Sequence, residues 1–395
     1  MSDSHPSLTL LSSPETAQSR DVRPTILHVV GTRPDFVKLA PVVAALGRRR
    51  LFRQVIVHTG QHYDRRMSDD IIADLELPAP DQFLGVGSGA HGLQTAAALS
   101  AFERVLLDTA PDVVLVAGDV NSTLACALAA SKLGIAIVHL ESGLRSFDWS
   151  VPEEINRVLT DRLADTLLTH SPEASENLLA DGIGPGNVFY VGSTMIDSLR
   201  LSEKRARALS AWHAFGQRER EYVLVTLHRP SNVDDPHRLL QIVESLVELT
   251  RHAPVVFPIH PRTRARLSEA GVLAQLQDGG VACSEPVGYL EFLSLQAGAG
   301  AIVTDSGGVQ EEASALGVAC YTFRRNTERP ITLTHGTNVL LGDDPADIAD
   351  VRPSPFAPTP CAIPLWDGRA AERVADVLIA HYTLQSASPV GVVTC

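Results

Sequence analysis

Short runs of β-branched and aliphatic residues recur along the chain, each closed by a polar or glycine-bearing loop and followed by a stretch with helical apolar spacing. One series comprises Ile26–Val30, Val55–His58, Val113–Val116, Ile135–Leu140 and Thr166–Thr169. A second comprises Tyr222–Leu227, Val255–Ile259, Ala301–Thr304 and Val318–Thr322. Strand alternating with helix predicts an α/β protein with parallel sheets. The charged stretch Glu203–Glu221 separates the two series and reads as a surface helix and connection. Two doubly wound domains are therefore expected, over 23–202 and 203–365. In open parallel sheets, ligands bind beyond the carboxyl ends of the strands, so two such domains facing one another create a cleft lined by their strand-end loops. The segment 366–382, from Trp366, has helical apolar spacing and is expected to pack back on the first domain. Residues 1–22, rich in Ser, Pro and Thr, read as a flexible lead, and 383–395 as a loose tail.

Composition narrows the chemistry. A chain of 395 residues, 45% of them hydrophobic, can bury large cores. A net charge of -13 argues against a general nucleic-acid or anionic-membrane surface, so any phosphate must be met by local cations. The five cysteines are scattered, odd in number and without a C-x-x-C pair, as in reduced intracellular proteins. No secretion signal and no membrane-spanning window is read from the sequence, which makes the cytoplasm the expected location.

The segment Thr304–Gly317 is the most informative, because an apolar strand runs through Ser306, Gly307 and Gly308 straight into a helical pattern. Glycines let backbone N–H groups approach a ligand oxygen, and a helix N-terminus adds positive potential, so this turn suits a phosphate. Ser306 could equally cap the helix. Other loops supply charge at strand ends. Gly31–Lys38 places Arg33 and Lys38 beyond the first strand, where two cations suit an anion or, alternatively, surface ion pairs. Asp119 follows the strand ending at Val116, in a crevice or a capping position, and Glu141 follows the strand ending at Leu140, where an acid has no intrinsic reason to sit. In Val151–Leu159, Pro152 suits a first helical turn; Glu153 and Arg157, four residues apart, could pair on one face. Asp119, Glu141 and Glu153 together form a set of carboxylates of the kind proton transfer requires. From the second domain come His228 and Arg229, then His260, then Arg329, whose planar fork suits phosphate. Gly87–Gly92 matches G-x-G-x-x-G, but only a short apolar piece precedes it, so it is set aside as a dinucleotide site.

The loops GTRPDFVKLAP, TGQHYD, GDVNSTLA, HLESGLRS, PEEINR, TLHRPSN, PIHPR, TDSGGVQEEA and NTERP, in this order over residues 25 to 380, resemble the non-hydrolysing UDP-N-acetylglucosamine 2-epimerases. The resemblance implies two Rossmann-like domains in a glycosyltransferase-B-like arrangement, with 203–365 binding UDP. It also implies a homodimer and C2 epimerisation of a UDP-N-acetylhexosamine without NAD or an essential metal. The route implied is anti elimination of UDP to a 2-acetamidoglucal followed by readdition. By motif match Asp119, Glu141 and Glu153 are the implied acids, with His228 near the diphosphate or sugar and Lys38 near the reacting centre. Arg33, Arg157, Arg229, His260, Ser306, Gly307, Gly308, Glu312 and Arg329 are implied to hold the nucleotide sugar, Glu312 accepting from ribose hydroxyls. HLES, TLHRPSN and TERPIT depart from the commoner HVEA, THRREN and TERPEA, and Asp64 and Arg65 follow Gln61-His62-Tyr63 where some members carry a Gln-rich allosteric neighbourhood. The sugar pocket leaves a modified UDP-HexNAc open. The rival readings are a hydrolysing epimerase, a glycosyltransferase of the same fold and a non-catalytic nucleotide-sugar sensor.

Overall fold

The computed structural model describes residues 21–60, 65–354 and 362–383, with 65–69 by backbone alone. Residues 1–20 of the expected lead, the motif residues Gln61-His62-Tyr63-Asp64 and the tail 384–395 lie outside the described residues. The first sheet contains β1 (Thr25–Val30), β2 (Arg53–His58), β3 (Gln82–Phe83), β4 (Val113–Ala117), β5 (Ala136–Leu140), β6 (Thr166–Thr169) and β7 (Val188–Tyr190). The second contains β8 (Val223–Thr226), β9 (Val255–Pro258), β10 (Ala282–Ser284), β11 (Ala301–Thr304), β12 (Cys320–Thr322) and β13 (Asn338–Leu340). Strand order is β3-β2-β1-β4-β5-β6-β7 in one and β10-β9-β8-β11-β12-β13 in the other, and every pairing is parallel. The protein is thus α/β with two doubly wound sheets in a glycosyltransferase-B-like arrangement.

Both orders reverse direction at one point, between β1 and β4 and between β8 and β11. These are the topological switch points at which parallel sheets open a crevice. The central strands β1, β4 and β11 are buried at every position because helices cover both sheet faces. Four strands were not read from the sequence: β3, β7, β10 and β13, each of two or three residues and each at a sheet edge. An edge strand needs only backbone pairing on one side, so its side chains need not be apolar.

Helix Thr194–Leu209 runs unbroken through residue 202 and joins the two sheets. Its Ser198 hydroxyl donates to the Val37 carbonyl of the helix Arg33–Arg49 (2.6 Å). Its Asp197 carboxylate accepts from the N–H groups of Ala370 (3.1 Å) and Ala371 (2.7 Å) at the start of helix Ala370–Tyr382. That last helix lies against helix Arg33–Arg49 and β6 of the first sheet: Arg49 pairs with Glu372 (3.1 Å) and Asp376 (3.0 Å), and the Tyr382 hydroxyl bonds Thr166 (2.8 Å). Among the described residues no helix is long and apolar enough to cross a membrane.

Candidate active site

Glu141 begins where β5 ends, and its backbone is forced into the left-handed region (φ 66°) because its N–H and that of Ser142 both donate to the Leu168 carbonyl (3.0 and 3.1 Å). Strain of this kind in a non-glycine residue collects at functional sites. The turn aims the carboxylate at Lys38, which it contacts through Oε2, while Oε1 accepts from Arg329 Nη2 (2.7 Å). Burial by itself would raise the Glu141 carboxyl, but the two cations outweigh it and hold it down at about 2. Lys38 is buried too; its desolvation is overcome by Glu141, Asp35 and Asp119, so its ammonium is held above its usual range. Gly118 makes this approach possible: a Cβ there would stand 2.8 Å from Lys38 Nζ and 3.6 Å from a Glu141 carboxylate oxygen.

Asp35, which sequence reasoning passed over, fixes the other side of Lys38. Its carboxylate accepts from the N–H of Gly31 (3.0 Å), the N–H of Thr32 (2.8 Å) and the Thr32 hydroxyl (3.0 Å). Burial lifts it to about 6 against the pull of Lys38 and these donors. Asp119 does not cap its helix, whose N-cap is Val120; its carboxylate pairs with Arg157 Nη2. Arg157 in turn contacts Glu154 through Nη1, and the alternative surface pair between Glu153 and Arg157 does not form. Glu154 is the structural acid of that turn, accepting from Ser146 N (2.9 Å), Ser146 Oγ (2.8 Å) and Phe147 N (2.9 Å). Glu153, half-buried, has no hydrogen-bond or ionic partner among the described residues.

From the second sheet, Arg329 crosses to meet these acids. Beyond Glu141 it contacts Glu311 through Nε and Glu328 through Nη1 (2.5 Å), which drives its own protonation well beyond the usual range despite burial. Glu328 is ringed by Arg324 (2.6 Å), Arg329, Arg229 (3.6 Å) and Arg157, which overcome its burial and keep it ionised. The expected glycine turn lies directly beneath. A Cβ on Gly307 would stand 2.2 Å from Arg329 Nη1 and 2.8 Å from Glu328 Oε1, so the missing side chain makes room for a guanidinium and a carboxylate at a helix N-terminus. Ser306 occupies the N-cap position without a side-chain cap bond, and Gly308 faces the Met195 methyl.

Asp305 organises the neighbouring loop. It accepts from the N–H groups of His228 (3.0 Å) and Arg229 (2.9 Å), from Asn232 Nδ2 (3.0 Å), and its Oδ1 lies 3.0 Å from His228 Nδ1. These partners outweigh its burial and depress its carboxyl. The His260 ring lies 5.3 Å from that of His228, and its Nδ1 accepts from Arg262 N (3.2 Å), which makes it the cap of helix Pro261–Glu269. Arg33 donates to the Val287 carbonyl (3.1 Å) and faces Glu312 and Tyr289 across the domains. Glu312 accepts from Gln296 Nε2 (2.6 Å), and burial pushes it up to about 7.

Lys38, Asp119, Glu141, Arg157, Arg229, Gly307 and Arg329 therefore form one connected set, with His228 joined to it through Asp305 and Arg229. Arg33 and Glu312 influence one another's charge in an adjacent cluster without forming an ion pair. Glu311, Glu328, Asp35 and Asp305 were missed although each lies inside a motif that sequence reading singled out. Adjacent helical residues such as Glu311 and Glu312 differ by about 100° in direction, and only the fold shows which faces the cleft. Chemically, the site offers ionised carboxylates within reach of several cations that can take up an arriving diphosphate.

The family model described as UDP-N-acetylglucosamine 2-epimerase matches residues 44–379 of this chain. The UDP-N-acetylglucosamine 2-epimerase of Methanococcus maripaludis is 44% identical over 327 residues, 81% of this chain and 88% of that protein. The UDP-2,3-diacetamido-2,3-dideoxy-D-glucuronate 2-epimerase of Pseudomonas aeruginosa is 43% identical over 321 residues, 80% of this chain and 88% of that protein. Among solved structures, the Methanocaldococcus jannaschii UDP-GlcNAc 2-epimerase in complex with UDP-GlcNAc and UDP superposes with a TM-score of 0.84 at 41% identity, covering 90% of this chain and 99% of that one. The Neisseria meningitidis enzyme bound to UDP-GlcNAc gives 0.78 at 28% identity, covering 90% of this chain and 100% of that one.

Proposed function

The chain belongs to the UDP-N-acetylglucosamine 2-epimerase family, and on that premise we propose that it interconverts UDP-GlcNAc and UDP-ManNAc without hydrolysis. UDP leaves C1 by anti elimination as the C2 proton is taken, giving a 2-acetamidoglucal, and UDP adds back after a proton has arrived on the opposite face. The C2–H bond is not activated by a carbonyl, so it breaks only if the departing diphosphate is strongly assisted. The observation that carries the reading is the position of Arg329, which spans from the Gly307 turn to Glu141 and so links an anion site to a buried, ionised carboxylate.

In this reading Asp119, Glu141 and Glu153 handle protons on the two faces of C2, with Lys38 and His228 beside them. Arg33, Arg157, Arg229, His260, Ser306, Gly307, Gly308, Glu312 and Arg329 hold the nucleotide sugar between domains 23–202 and 203–365. The protein acts as a cytoplasmic homodimer. Incubation with UDP-GlcNAc in heavy water is expected to place deuterium at C2 of both intact UDP-sugars. Release of free ManNAc with UDP would assign it to the hydrolysing class instead, and no exchange with any UDP-HexNAc would end the reading. The Pseudomonas aeruginosa relative supports a second substrate, a UDP-diacetamido uronate, and the same exchange run on that sugar separates the two.

A further inference from the structure

His170 follows β6 directly and is 3% exposed, yet neither ring nitrogen has a hydrogen-bond partner. The other buried histidines differ: His28 bonds Gln54 (2.9 Å) and His58 accepts from Gly60 N (2.8 Å). His139, on the neighbouring strand, is satisfied at both ends by Asp161 (2.7 Å) and the Gly118 carbonyl (2.8 Å). A buried polar group left without a partner is costly, so an unbonded imidazole beside a candidate active site calls for a functional account.

Its surroundings supply one. His170 lines a small cavity with Lys38, Glu141, Ser193, Thr194 and Met195. The nearest carboxylate oxygen, Glu311 Oε1, lies 4.0 Å from Nε2, beyond hydrogen-bond reach. Burial keeps the ring neutral, with Arg329 acting in the same sense and Glu311, Glu141 and Glu173 opposing it. A neutral imidazole has one donor and one acceptor, which is what a group needs to pass a proton through.

We infer that His170 is the proton relay of Glu141, acting through that carboxylate rather than on the sugar. The inference rests on the epimerase reading above. When Glu141 takes the C2 proton, the C–H electron pair becomes the C1–C2 double bond and the C1–O pair leaves with the β-phosphate. Glu141 then has to shed the proton, since Lys38 and Arg329 favour its ionised form. A water in the shared cavity takes that proton from Glu141 as it gives one of its own to Nδ1, and Nε2–H, once the ring has closed the 4.0 Å gap, releases its proton to Glu311, which returns a neutral ring of the opposite tautomer. Reversal of this transfer, or exchange with solvent, resets the ring between turnovers.

The test uses the full-length protein and its H170Q and H170A variants in heavy water, starting from each epimer of UDP-HexNAc in turn. Deuterium at C2 of recovered starting sugar is divided by epimer formed. With a working relay, Glu141 exchanges its proton and returns deuterium; without it, the original protium goes back. The variants are expected to slow epimerisation roughly tenfold or more and to lower that ratio by a similar factor from one of the two epimers, with UDP affinity retained. An unchanged ratio from both epimers overturns the relay even if the rate falls, because a merely structural role changes rate alone. Should neither variant bind UDP, nitrogen NMR of labelled wild-type histidine decides: the relay requires the His170 ring signals to shift on adding UDP-sugar, and a fixed tautomer overturns it. Absence of deuterium with the wild type would instead show that the catalytic reading itself has failed.

Discussion

Arg329 and Glu141 stand 188 positions apart in the chain and meet at 2.7 Å, a guanidinium from one sheet bonded to a carboxylate from the other. The same guanidinium occupies the space that a side chain on Gly307 would fill. The Gly307 turn and the acid are thereby linked through one group, and in the proposed reading a diphosphate drawn to that turn would compete with Glu141 for that cation. Weakening of this pair would raise the proton affinity of Glu141 at the moment it has a proton to take.

Replacing Arg329 with Gln should be costly to the fold as well as to turnover. Three carboxylates, Glu141, Glu311 and Glu328, would lose a shared buried cation. Breaking a buried ionic cluster by removing one partner costs about 3 kcal/mol or more. Urea unfolding should register that loss, and Arg329→Lys should recover only part of it because a point charge cannot reproduce the three-way fork. Unchanged unfolding in Arg329→Gln would mean that the cluster is not held as described.

Gly307→Ala and Gly308→Ala should separate cleanly. A methyl on Gly307 meets Arg329 Nη1 at 2.2 Å and Cζ at 2.7 Å, so the whole guanidinium must move; a methyl on Gly308 meets the flexible Met195 methyl at 2.8 Å. UDP affinity, measured calorimetrically, should fall at least about tenfold in Gly307→Ala, in line with the loss of a charge-assisted contact, and much less in Gly308→Ala. Equal effects would argue against Arg329 as the sensitive partner.

Glu141→Gln should remove deuterium exchange at C2 by a factor of about 10² to 10⁴, the usual span for a general base, while UDP affinity changes little. Its backbone hydrogen bonds to Leu168 survive the change, so the turn should be kept. A large loss of UDP binding instead would move Glu141 from chemistry to recognition.

Much of this arrangement was legible in the sequence because central parallel strands must be apolar on both faces. β1, β4, β6, β9 and β11 announce themselves that way, and the loops beyond them follow. Edge strands such as Asn338–Leu340 carry no such mark. Local spacing also offered Arg157 a partner it does not take: Glu153 stood at the right interval for a surface pair, but Asp119, beyond another strand, and Glu154 hold the guanidinium. His170 was invisible for a different reason. What distinguishes it is an absence of partners in three dimensions, and no pattern along the chain encodes that.

Glu312 should give the protein a pH-dependent stability that can be assigned to one residue. Burial raises its carboxyl from 4.5 to about 7, against the hydrogen bond from Gln296 and the charge of Arg33. The folded protein therefore holds this proton more tightly than the unfolded chain. The associated stability is fully present below about pH 4.5, declines as pH rises through the interval to about 7, and declines no further above it. Asp35 and Asp197, each raised to about 6, add slope of the same sign, so the wild-type curve alone does not isolate Glu312. Glu312→Gln does: its amide oxygen can still accept from Gln296, but the side chain no longer titrates. Urea unfolding of both proteins at pH 5 and pH 7.5 should show the wild type losing more stability over that interval than the variant, by an amount on the order of 1 to 3 kcal/mol. Equal losses would show that Glu312 is ionised in the folded protein across this range, and would place the Arg33 guanidinium in direct control of it.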